Sequence, residues 1–196
     1  MEHSRTSIIN YLIEQNNFKS YLEIGIRYPW QNFDLIKCDI KVGVDPVVAH
    51  DKVFALKSDE FFKVNKSQFD LIFIDGDHLE EQVMRDADNS LKALSKNGTI
   101  VIHDCYPKQE DHQGPKDTVG VWMGTVWKTI LKLKATRSDL KLYVCEADCG
   151  CGILRRGNQN LISLPSELTW DFYITTYRTL VDMVSFDDLI EMERRK

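Results

Sequence analysis

Five side chains suited to proton or metal chemistry lie in two short groups in the middle of the chain. They are Asp75, Asp77, His78, His103 and Asp104. Carboxylate oxygens are suitable ligands for Mg²⁺ or Mn²⁺, and an imidazole accepts a proton near neutral pH. A base or a bound divalent cation lowers the barrier to removing the proton of a hydroxyl group. These residue types are therefore suited to proton transfer or to metal binding.

Residues 69–106 have a pattern that would bring these five side chains together. The apolar run 71–74 predicts a strand that is buried on both faces and ends at Asp75. Apolar spacings of three and four over 79–95 predict a helix, and residues 99–102 predict a second buried strand. Ligands bind at the carboxyl ends of the strands in an open parallel sheet, so we expect the five residues at one rim of one pocket.

Composition limits the class of protein. The 196 residues are 43% hydrophobic with only 10 glycines and 5 prolines, which predicts one folded domain with a sizeable core. The net charge of −5 argues against a nucleic-acid partner. No apolar run approaches the ~20 residues of a membrane span, and the first residues lack the order of a secretory signal. We therefore expect a cytoplasmic protein with no membrane partner and with reduced cysteines.

The first half of the chain has the spacing of a nucleotide-binding unit. A leading helix is predicted within residues 1–18, followed by a strand over 21–24 that ends at Gly25. A second strand, 42–44, ends at Asp45, twenty residues after the glycine. A carboxylate at this position accepts two hydroxyl hydrogens of a ribose. The pattern therefore predicts a nucleotide-type cofactor at the ends of these strands.

Five motifs together resemble the class I S-adenosylmethionine-dependent methyltransferases, in particular a short group found with sugar and polysaccharide biosynthesis. The motifs are YLEIGIR (21–27), GVDP (43–46), SDEFF (58–62), FDLIFIDGDH (69–78) and NGTIVIHDCY (97–106). The resemblance implies an α/β fold, a Rossmann-like three-layer sandwich with a mostly parallel seven-stranded sheet and an antiparallel C-terminal hairpin. It implies one domain over 1–196, with a cofactor-binding half at 19–106 and an acceptor-side half with C-terminal helices at 107–196.

The resemblance also implies contacts with the methionine part of S-adenosylmethionine. Glu23 and Gly25 would lie against the methionine, and Asp75 would lie beside the sulfonium. The loop after Gly25 lacks the further glycines common in these enzymes. Arg27 is therefore a candidate partner of the cofactor carboxylate, with a simple exposed arginine as the alternative.

Contacts with the nucleoside part are implied in the same way. Asp45 would hold the ribose hydroxyls, and Ser58 and Asp59 would flank the adenine. These residues follow the second predicted strand and the segment where a third strand would end.

The catalytic roles implied by the resemblance fall on the two polar groups. Asp75 and Asp104 would bind Mg²⁺ or Mn²⁺, His78 would be the general base, and His103 would belong to the catalytic group. Similar sugar O-methyltransferases have two acids after the second strand, whereas this chain has a histidine and an aspartate, so the need for a metal stays open. The alternative for Asp77 or His78 is a cap of the following helix.

The acceptor is expected to bind after the second strand of this unit. Polar residues 107–118 predict a mobile loop over the acceptor, and 120–133 predict a helix. Tyr106 and Trp122 are predicted substrate contacts. The indole can stack on a sugar ring, and burial in a helix face is the alternative.

The C-terminal third predicts a hairpin and two helices. Strands over 140–145 and 152–155 flank a turn, with cysteines at 145, 149 and 151. A zinc site would need a C-x-x-C pair and a fourth ligand, so small buried thiols are predicted instead. The tail, 166–194, predicts helices that either cover the sheet or form a homodimer contact.

We therefore predict an O-methyltransferase that transfers a methyl group from S-adenosylmethionine to a hydroxyl of a sugar, a glycan or a similar small acceptor. Two alternatives come from other classes. One is a non-catalytic module on the same fold that binds the cofactor or a partner. The other is a different nucleotide-dependent enzyme such as a dehydrogenase, which the absence of a G-x-G-x-x-G fingerprint disfavours.

Overall fold

The computed structural model describes residues 3–114 and 120–195, in which one sheet is covered by helices on both faces. The strands are β1 Ser20–Ile24, β2 Ile40–Val44, β3 Val53–Phe54, β4 Phe69–Ile74, β5 Leu94–Ile102, β6 Leu140–Cys145, β7 Cys151–Arg156 and β8 Met183–Val184. The helices are α1 Arg5–Asn16, α2 Ser58–Val64, α3 Glu80–Ala93, α4 Val126–Thr136, α5 Trp170–Leu180 and α6 Phe186–Arg194.

The strand order is β3-β2-β1-β4-β5-β7-β6-β8. Strands β1 to β5 pair in parallel, while β7 pairs antiparallel with both β5 and β6. This confirms the predicted Rossmann-like α/β fold with its antiparallel hairpin. Within the described residues the sheet has eight strands rather than seven, because the two-residue strand β8 adds to the outer edge of β6. The chain leaves β1 in one direction and β4 in the other, so the switch point of the sheet lies between these two strands.

Both faces of the central strands are buried. In β4, Ile72 and Ile74 pack with α3 in one core cluster, whereas Leu71 and Phe73 pack with α1 in the other. Alternate side chains of a strand point to opposite faces, which explains why β4 is a continuous apolar run. The site residues that follow β4 are therefore attached to the most buried part of the molecule.

Two segments have less regular helix than their neighbours. Between β1 and β2 the chain forms two 3₁₀ helices, Pro29–Gln31 and Phe33–Leu35, because Asn32 between them departs from helical geometry. The helix predicted over 120–133 begins only at Val126. The helix does not extend further toward the N-terminus because Gly124 has a φ of 60°, which is incompatible with a right-handed helix.

The C-terminal elements complete the core. Helix α5 buries Tyr173 and Tyr177 in one cluster, and α6 buries Leu189 in the other, so both helices cover the sheet. Cys145 and Cys151 face each other in register, and both are buried free thiols. Cys149 is a partly exposed free thiol in the turn between them.

Part of the predicted acceptor loop is described. Residues Glu110–Gln113 form a 3₁₀ helix, and residues 115–119 lie outside the described part of the chain. Among the described residues, no helix is both long and apolar enough to cross a membrane.

Candidate active site

The carboxyl ends of β1 and β4 touch at the centre of the sheet. Gly25, directly after β1, has a φ of 82° and packs against the backbone of Asp75 and Gly76. A Cβ atom at Gly25 would lie 2.3 Å from the carbonyl oxygen of Asp75, so a larger residue does not fit. The glycine thus allows the strand ends to meet and places Asp75 at the switch point of the sheet.

Asp75, His78 and Asp104 form one cluster at this edge. One potential ligand atom from each residue lies within 4.8 Å of the others. Nε2 of His78 is 3.5 Å from Oδ1 of Asp75, and Nδ1 of His78 is 3.1 Å from Oδ2 of Asp104. The structure thus brings together the residues predicted as metal ligands and general base.

The neighbours of His78 determine which of its nitrogens carries the hydrogen. Nδ1 faces two oxygen acceptors at 3.1 Å, the backbone carbonyl of Trp122 and a carboxylate oxygen of Asp104. In the neutral ring Nδ1 is therefore the donor, and Nε2 keeps the lone pair. Burial lowers the pKa of His78, but the hydrogen bond to Asp75 and the charges of Asp104 and Asp75 outweigh it, and the pKa is raised.

Trp122 holds the imidazole of His78 from one side. The two rings stack with centroids 5.0 Å apart and an interplanar angle of 15°. The indole nitrogen of Trp122 donates to the carbonyl of Gly114 at 2.8 Å. The residue predicted to stack on a sugar therefore stacks on the predicted base in this structure.

The capping alternative for Asp77 and His78 is wrong. The N-cap of α3 is Leu79, whose side chain makes no capping bond. The backbone N–H of Glu80 instead donates to Oγ1 of Thr125 at 2.9 Å. Asp77 is exposed, and the side chain of His78 belongs to the cluster.

His103 is buried among three carboxylates. Its Nδ1 lies 3.1 Å from Asp75 and 3.4 Å from Asp104, and its Nε2 lies 3.5 Å from Asp148. Burial lowers the pKa of His103, but the charges of Asp75 and Asp104 and the bonds to the acids outweigh it, and the pKa is well above its usual value. The three carboxylates therefore favour the charged form of the ring, and a protonated imidazole does not accept a further proton. The pKa of His78 is raised as well, but His78 faces two carboxylates rather than three, so it is the better candidate for the base.

Arg5 and Asp148 also reach the cluster, although the sequence did not predict them as site residues. Arg5 is the first residue of α1, and its backbone N–H donates to the carboxylate of Asp148. Its guanidinium lies 3.7 Å from Asp75 and 3.8 Å from Asp148. Asp148 and Cys149 have φ values of 45° and 62° in the turn between β6 and β7. Such a left-handed turn directs the carboxylate to the site, and the sequence signal for it is only the Asp-Cys-Gly string.

Glu23 is almost fully buried at the end of β1, with 2% exposure. It lies 2.6 Å from the hydroxyl of Tyr21 and accepts a hydrogen bond from Asn32 at 3.0 Å. Burial raises the pKa of Glu23 to about 8. The hydroxyl of Thr6 donates to Asn32 at 2.8 Å, so this group of bonds links β1 to the first turn of α1.

Asp45 holds the loop that follows β1. One carboxylate oxygen accepts the backbone N–H groups of Ile26 and Arg27 at 3.0 and 3.1 Å. The other accepts those of Val47 and Val48 at 2.9 and 3.1 Å. Burial raises the pKa of Asp45, but these four bonds outweigh it, and the pKa is lowered. A contact with a ribose would have to replace one of the four bonds, because a carboxylate has about four acceptor positions.

The remaining predicted residues make contacts within the protein. Ser58 and Asp59 begin α2 and contact α3, where Ser58 accepts a hydrogen bond from Gln82 at 3.2 Å and Asp59 pairs with an arginine at 3.5 Å. Arg27 is exposed, and its guanidinium lies 5.2 Å from the ring of Tyr28. Tyr106 accepts a hydrogen bond from an arginine of α5 at 2.7 Å.

Comparisons with known proteins agree with this architecture. Residues 14–105 match the sequence model of a methyltransferase domain. The matched segment is therefore similar to a methyltransferase domain, and it includes β1 to β5 and the ends of the strands that form the cluster. No curated protein matches the sequence.

Solved structures of methyltransferases share the fold of this chain at low sequence identity. The S-adenosylhomocysteine-bound methyltransferase PaMTH1 of Podospora anserina is 16% identical, with a TM-score of 0.58, over 79% of this chain and 78% of its own. An O-methyltransferase of Bacillus cereus in complex with S-adenosylhomocysteine is 13% identical, with a TM-score of 0.56, over 80% of this chain and 83% of its own. MycE, a methyltransferase of mycinamycin biosynthesis solved with Mg, S-adenosylhomocysteine and mycinamycin VI, is 13% identical, with a TM-score of 0.50, over 80% of this chain and 50% of its own.

Proposed function

We propose that this domain is an O-methyltransferase that moves the methyl group of S-adenosylmethionine to a hydroxyl of a small acceptor, with a sugar or glycan as the preferred class. The observation that carries the proposal is the cluster of Asp75, His78 and Asp104 at the switch point of a methyltransferase fold. A carboxylate beside the sulfonium favours the positive donor, and transfer requires mainly the alignment of donor and acceptor. The choice of a sugar rests on the sequence motifs.

The donor is proposed to lie across the carboxyl ends of β1, β2 and β4. Its methionine would lie near Glu23 and Gly25, its sulfonium near Asp75, and its ribose near Asp45. Ser58 and Asp59, at the start of the helix that follows β3, would lie beside the adenine. Contact of the ribose with Asp45 would require the loop held by this carboxylate to shift.

His78 is proposed as the general base. Its Nδ1–H is held by Trp122 and Asp104, which leaves the lone pair of Nε2 to take the proton of the acceptor hydroxyl. The hydroxyl oxygen then forms a bond to the methyl carbon while the bond from carbon to sulfur breaks. The products are a methyl ether, S-adenosylhomocysteine and a protonated His78, which returns its proton to solvent.

The donor set fits a divalent cation. Asp75 and Asp104 supply carboxylate oxygens, which Mg²⁺ and Mn²⁺ prefer, and all three potential ligand atoms lie within 4.8 Å of one another. A cation bound there would lower the pKa of the acceptor hydroxyl. The complex of MycE with Mg gives a precedent in a similar fold. His103 and Arg5 already neutralise Asp75 in part, which favours weak, exchangeable binding of the metal.

Transfer of a labelled methyl group to a panel of sugars, glycans and phenols tests the proposal. We expect His78→Ala to keep the affinity of the wild type for S-adenosylhomocysteine, measured by calorimetry, and to lose at least about 100-fold in turnover. His50→Ala is the matched control, because His50 pairs with Asp34 and Asp51 instead of with the cluster. Full activity of His78→Ala would remove the base assignment, and failure of the wild type to bind S-adenosylhomocysteine would end the proposed function.

The role of the metal needs a separate measurement. We expect treatment with EDTA to lower turnover and added Mg²⁺ or Mn²⁺ to restore it, while the affinity for S-adenosylhomocysteine changes little. Turnover that is indifferent to EDTA would assign Asp75 and Asp104 to the support of His78 alone.

A further inference from the structure

The loop after β1 has no backbone donor left for a ligand. The N–H of Gly25 donates to Val44 at 2.9 Å, and those of Ile26 and Arg27 donate to Asp45. The N–H of Tyr28 donates to the carbonyl of Ile26 at 2.5 Å. S-adenosylmethionine carries an α-carboxylate at its methionine end, and an ionised carboxylate in a partly buried site needs donors or a positive charge. These must come from side chains if the donor binds beside this loop.

Two arginines are candidates for this role. Arg27 belongs to the loop itself, but it is exposed and its guanidinium lies over the ring of Tyr28. Arg5 comes from α1, and bonds made by Arg5 and by the next residue hold the start of this helix at the site. Its backbone is bonded to Asp148 on one side, and the neighbouring Thr6 is bonded to Asn32 on the other. Asn32 in turn donates to Glu23.

The guanidinium of Arg5 lies near two carboxylates but is too far from them to form hydrogen bonds of normal length. Its nearest carboxylate oxygens are 3.7 Å away on Asp75 and 3.8 Å away on Asp148, beyond the 2.7–3.2 Å typical of a hydrogen bond. Its Nε is buried and has no hydrogen-bond partner in the described part of the chain. A guanidinium presents a planar fork of donors that matches a carboxylate. Arg5 is thus a positive charge with donors available at the edge where the methionine would lie.

Asp148, which lies beside Arg5, could bind the positively charged ammonium group of the donor's amino-acid end. The methionine end of the donor carries an ammonium as well as a carboxylate. Asp148 lies next to the guanidinium and is itself turned into the site by its left-handed backbone. A cation and an anion side by side match both charges of an α-amino acid, which either group alone would not do.

We propose that Arg5 binds the α-carboxylate of the methyl donor and that Asp148 accepts its α-ammonium. This inference rests on the proposed function, since it assumes the donor class. Helix α1 and the turn between β6 and β7 then form part of the donor site. They replace the glycine-rich loop amides that this chain does not have available.

Calorimetry with two ligands tests the assignment. S-adenosylhomocysteine has the amino-acid end, whereas 5′-methylthioadenosine keeps the thioether and the nucleoside but lacks that end. We expect Arg5→Gln to bind S-adenosylhomocysteine about 10- to 100-fold more weakly than the wild type, which is the loss expected for charged hydrogen bonds. Its affinity for 5′-methylthioadenosine should stay at the wild-type value. Arg137→Gln is the matched control, because Arg137 pairs with Asp88 and Asp139, and both affinities should be unchanged.

Several outcomes would overturn the assignment. Unchanged affinity of Arg5→Gln for S-adenosylhomocysteine excludes Arg5, and a loss seen with Arg27→Gln instead moves the role to Arg27. An equal loss for both ligands in Arg5→Gln shows a general effect on structure. If the wild type binds neither ligand, the proposed function itself fails, which distinguishes this case from the others.

A comparison on the wild type does not depend on the folding of a variant. We expect decarboxylated S-adenosylhomocysteine, which keeps the amine, to bind at least about 10-fold more weakly than S-adenosylhomocysteine. Equal affinity of the two ligands would show that no group of the protein binds the carboxylate, and the proposal would be wrong.

Discussion

Glu23 is a buried acid whose protonation couples stability to pH. Its pKa of about 8 in the folded protein lies above the ordinary value of 4.5, so the folded state binds this proton more tightly than the unfolded state does. The contribution to stability is complete below about pH 4.5 and is lost as the pH rises to about 8. We expect the free energy of unfolding to fall over this window by up to about 1.4 kcal/mol per pH unit.

The substitution Glu23→Gln should remove this dependence of the free energy of unfolding on pH, because an amide has nearly the same shape as the carboxyl group but does not ionise. Urea unfolding at several pH values measures it. Glu81→Gln is the matched control, since Glu81 is exposed on α3, and its slope should equal that of the wild type. A slope that persists in Glu23→Gln would show that other groups cause the pH dependence.

At the scale of single residues, the sequence predicted the part of the site that depends on strand ends. Asp75, His78 and Asp104 follow buried apolar runs, and parallel strands deliver such residues to one edge. Arg5 and Asp148 could not be predicted in the same way. Their positions depend on the packing of α1 and on two residues with positive φ in a turn, and neither feature leaves a periodic signal in the sequence.

At the scale of elements, α6 is attached to the sheet by a buried ion pair. Glu193 of α6 accepts two hydrogen bonds from Arg155 of β7, at 2.7 and 3.1 Å, and a third from Asn16 at 3.1 Å. The carboxylate is 1% exposed. Removal of one partner leaves the other charge buried without compensation, which costs about 3–5 kcal/mol.

We therefore expect Glu193→Ala to lower the free energy of unfolding by about that amount, as measured by urea unfolding. Glu191→Ala is the control from the same helix, because Glu191 pairs with Arg195 at the surface and should change stability by less than about 1 kcal/mol. A small effect of Glu193→Ala would mean that water reaches Arg155 and replaces the carboxylate.

Some of the helix and strand boundaries could be predicted from the sequence, and others could not. Helix α3 and the strands β4 and β6 follow from clear apolar periodicity. The late start of α4 does not, because it is set by Gly124, where an added Cβ would lie 2.2 Å from the carbonyl of His78. That contact joins segments far apart in the chain, so a window of sequence does not contain it.

At the scale of the whole molecule, the fold was the most predictable feature. Alternation of buried strands and amphipathic helices is consistent along the first half, and consistency across levels is what specifies one fold. The additional strand β8 was missed because two residues are too short to show a period. The hairpin, by contrast, was predicted, and so was the burial of Cys145 and Cys151, whereas Cys149 is partly exposed instead of buried. The buried thiols can serve as probes of the closed core.

The five cysteines should divide into two reactivity classes. Cys105, Cys145 and Cys151 are buried, whereas Cys38 and Cys149 are partly exposed. Burial raises the pKa of all five thiols, so the two classes differ in the access of a reagent to the sulfur. We expect iodoacetamide at pH 8 to label only Cys38 and Cys149 in the native protein, as read by mass spectrometry of peptides, and to label all five in urea.

The three buried thiols should react only when the whole protein unfolds, because they lie in the two hydrophobic core clusters on either face of the sheet. Their labelling rate should therefore equal the rate calculated from global unfolding. A ligand that binds only the folded state at 100 times its Kd should therefore slow their labelling by about 100-fold through mass action. S-adenosylhomocysteine is the ligand to use. If Cys145 and Cys151 were labelled much faster than Cys105, the hairpin would open separately from the rest of the sheet. Asp148 would then leave the site together with the hairpin.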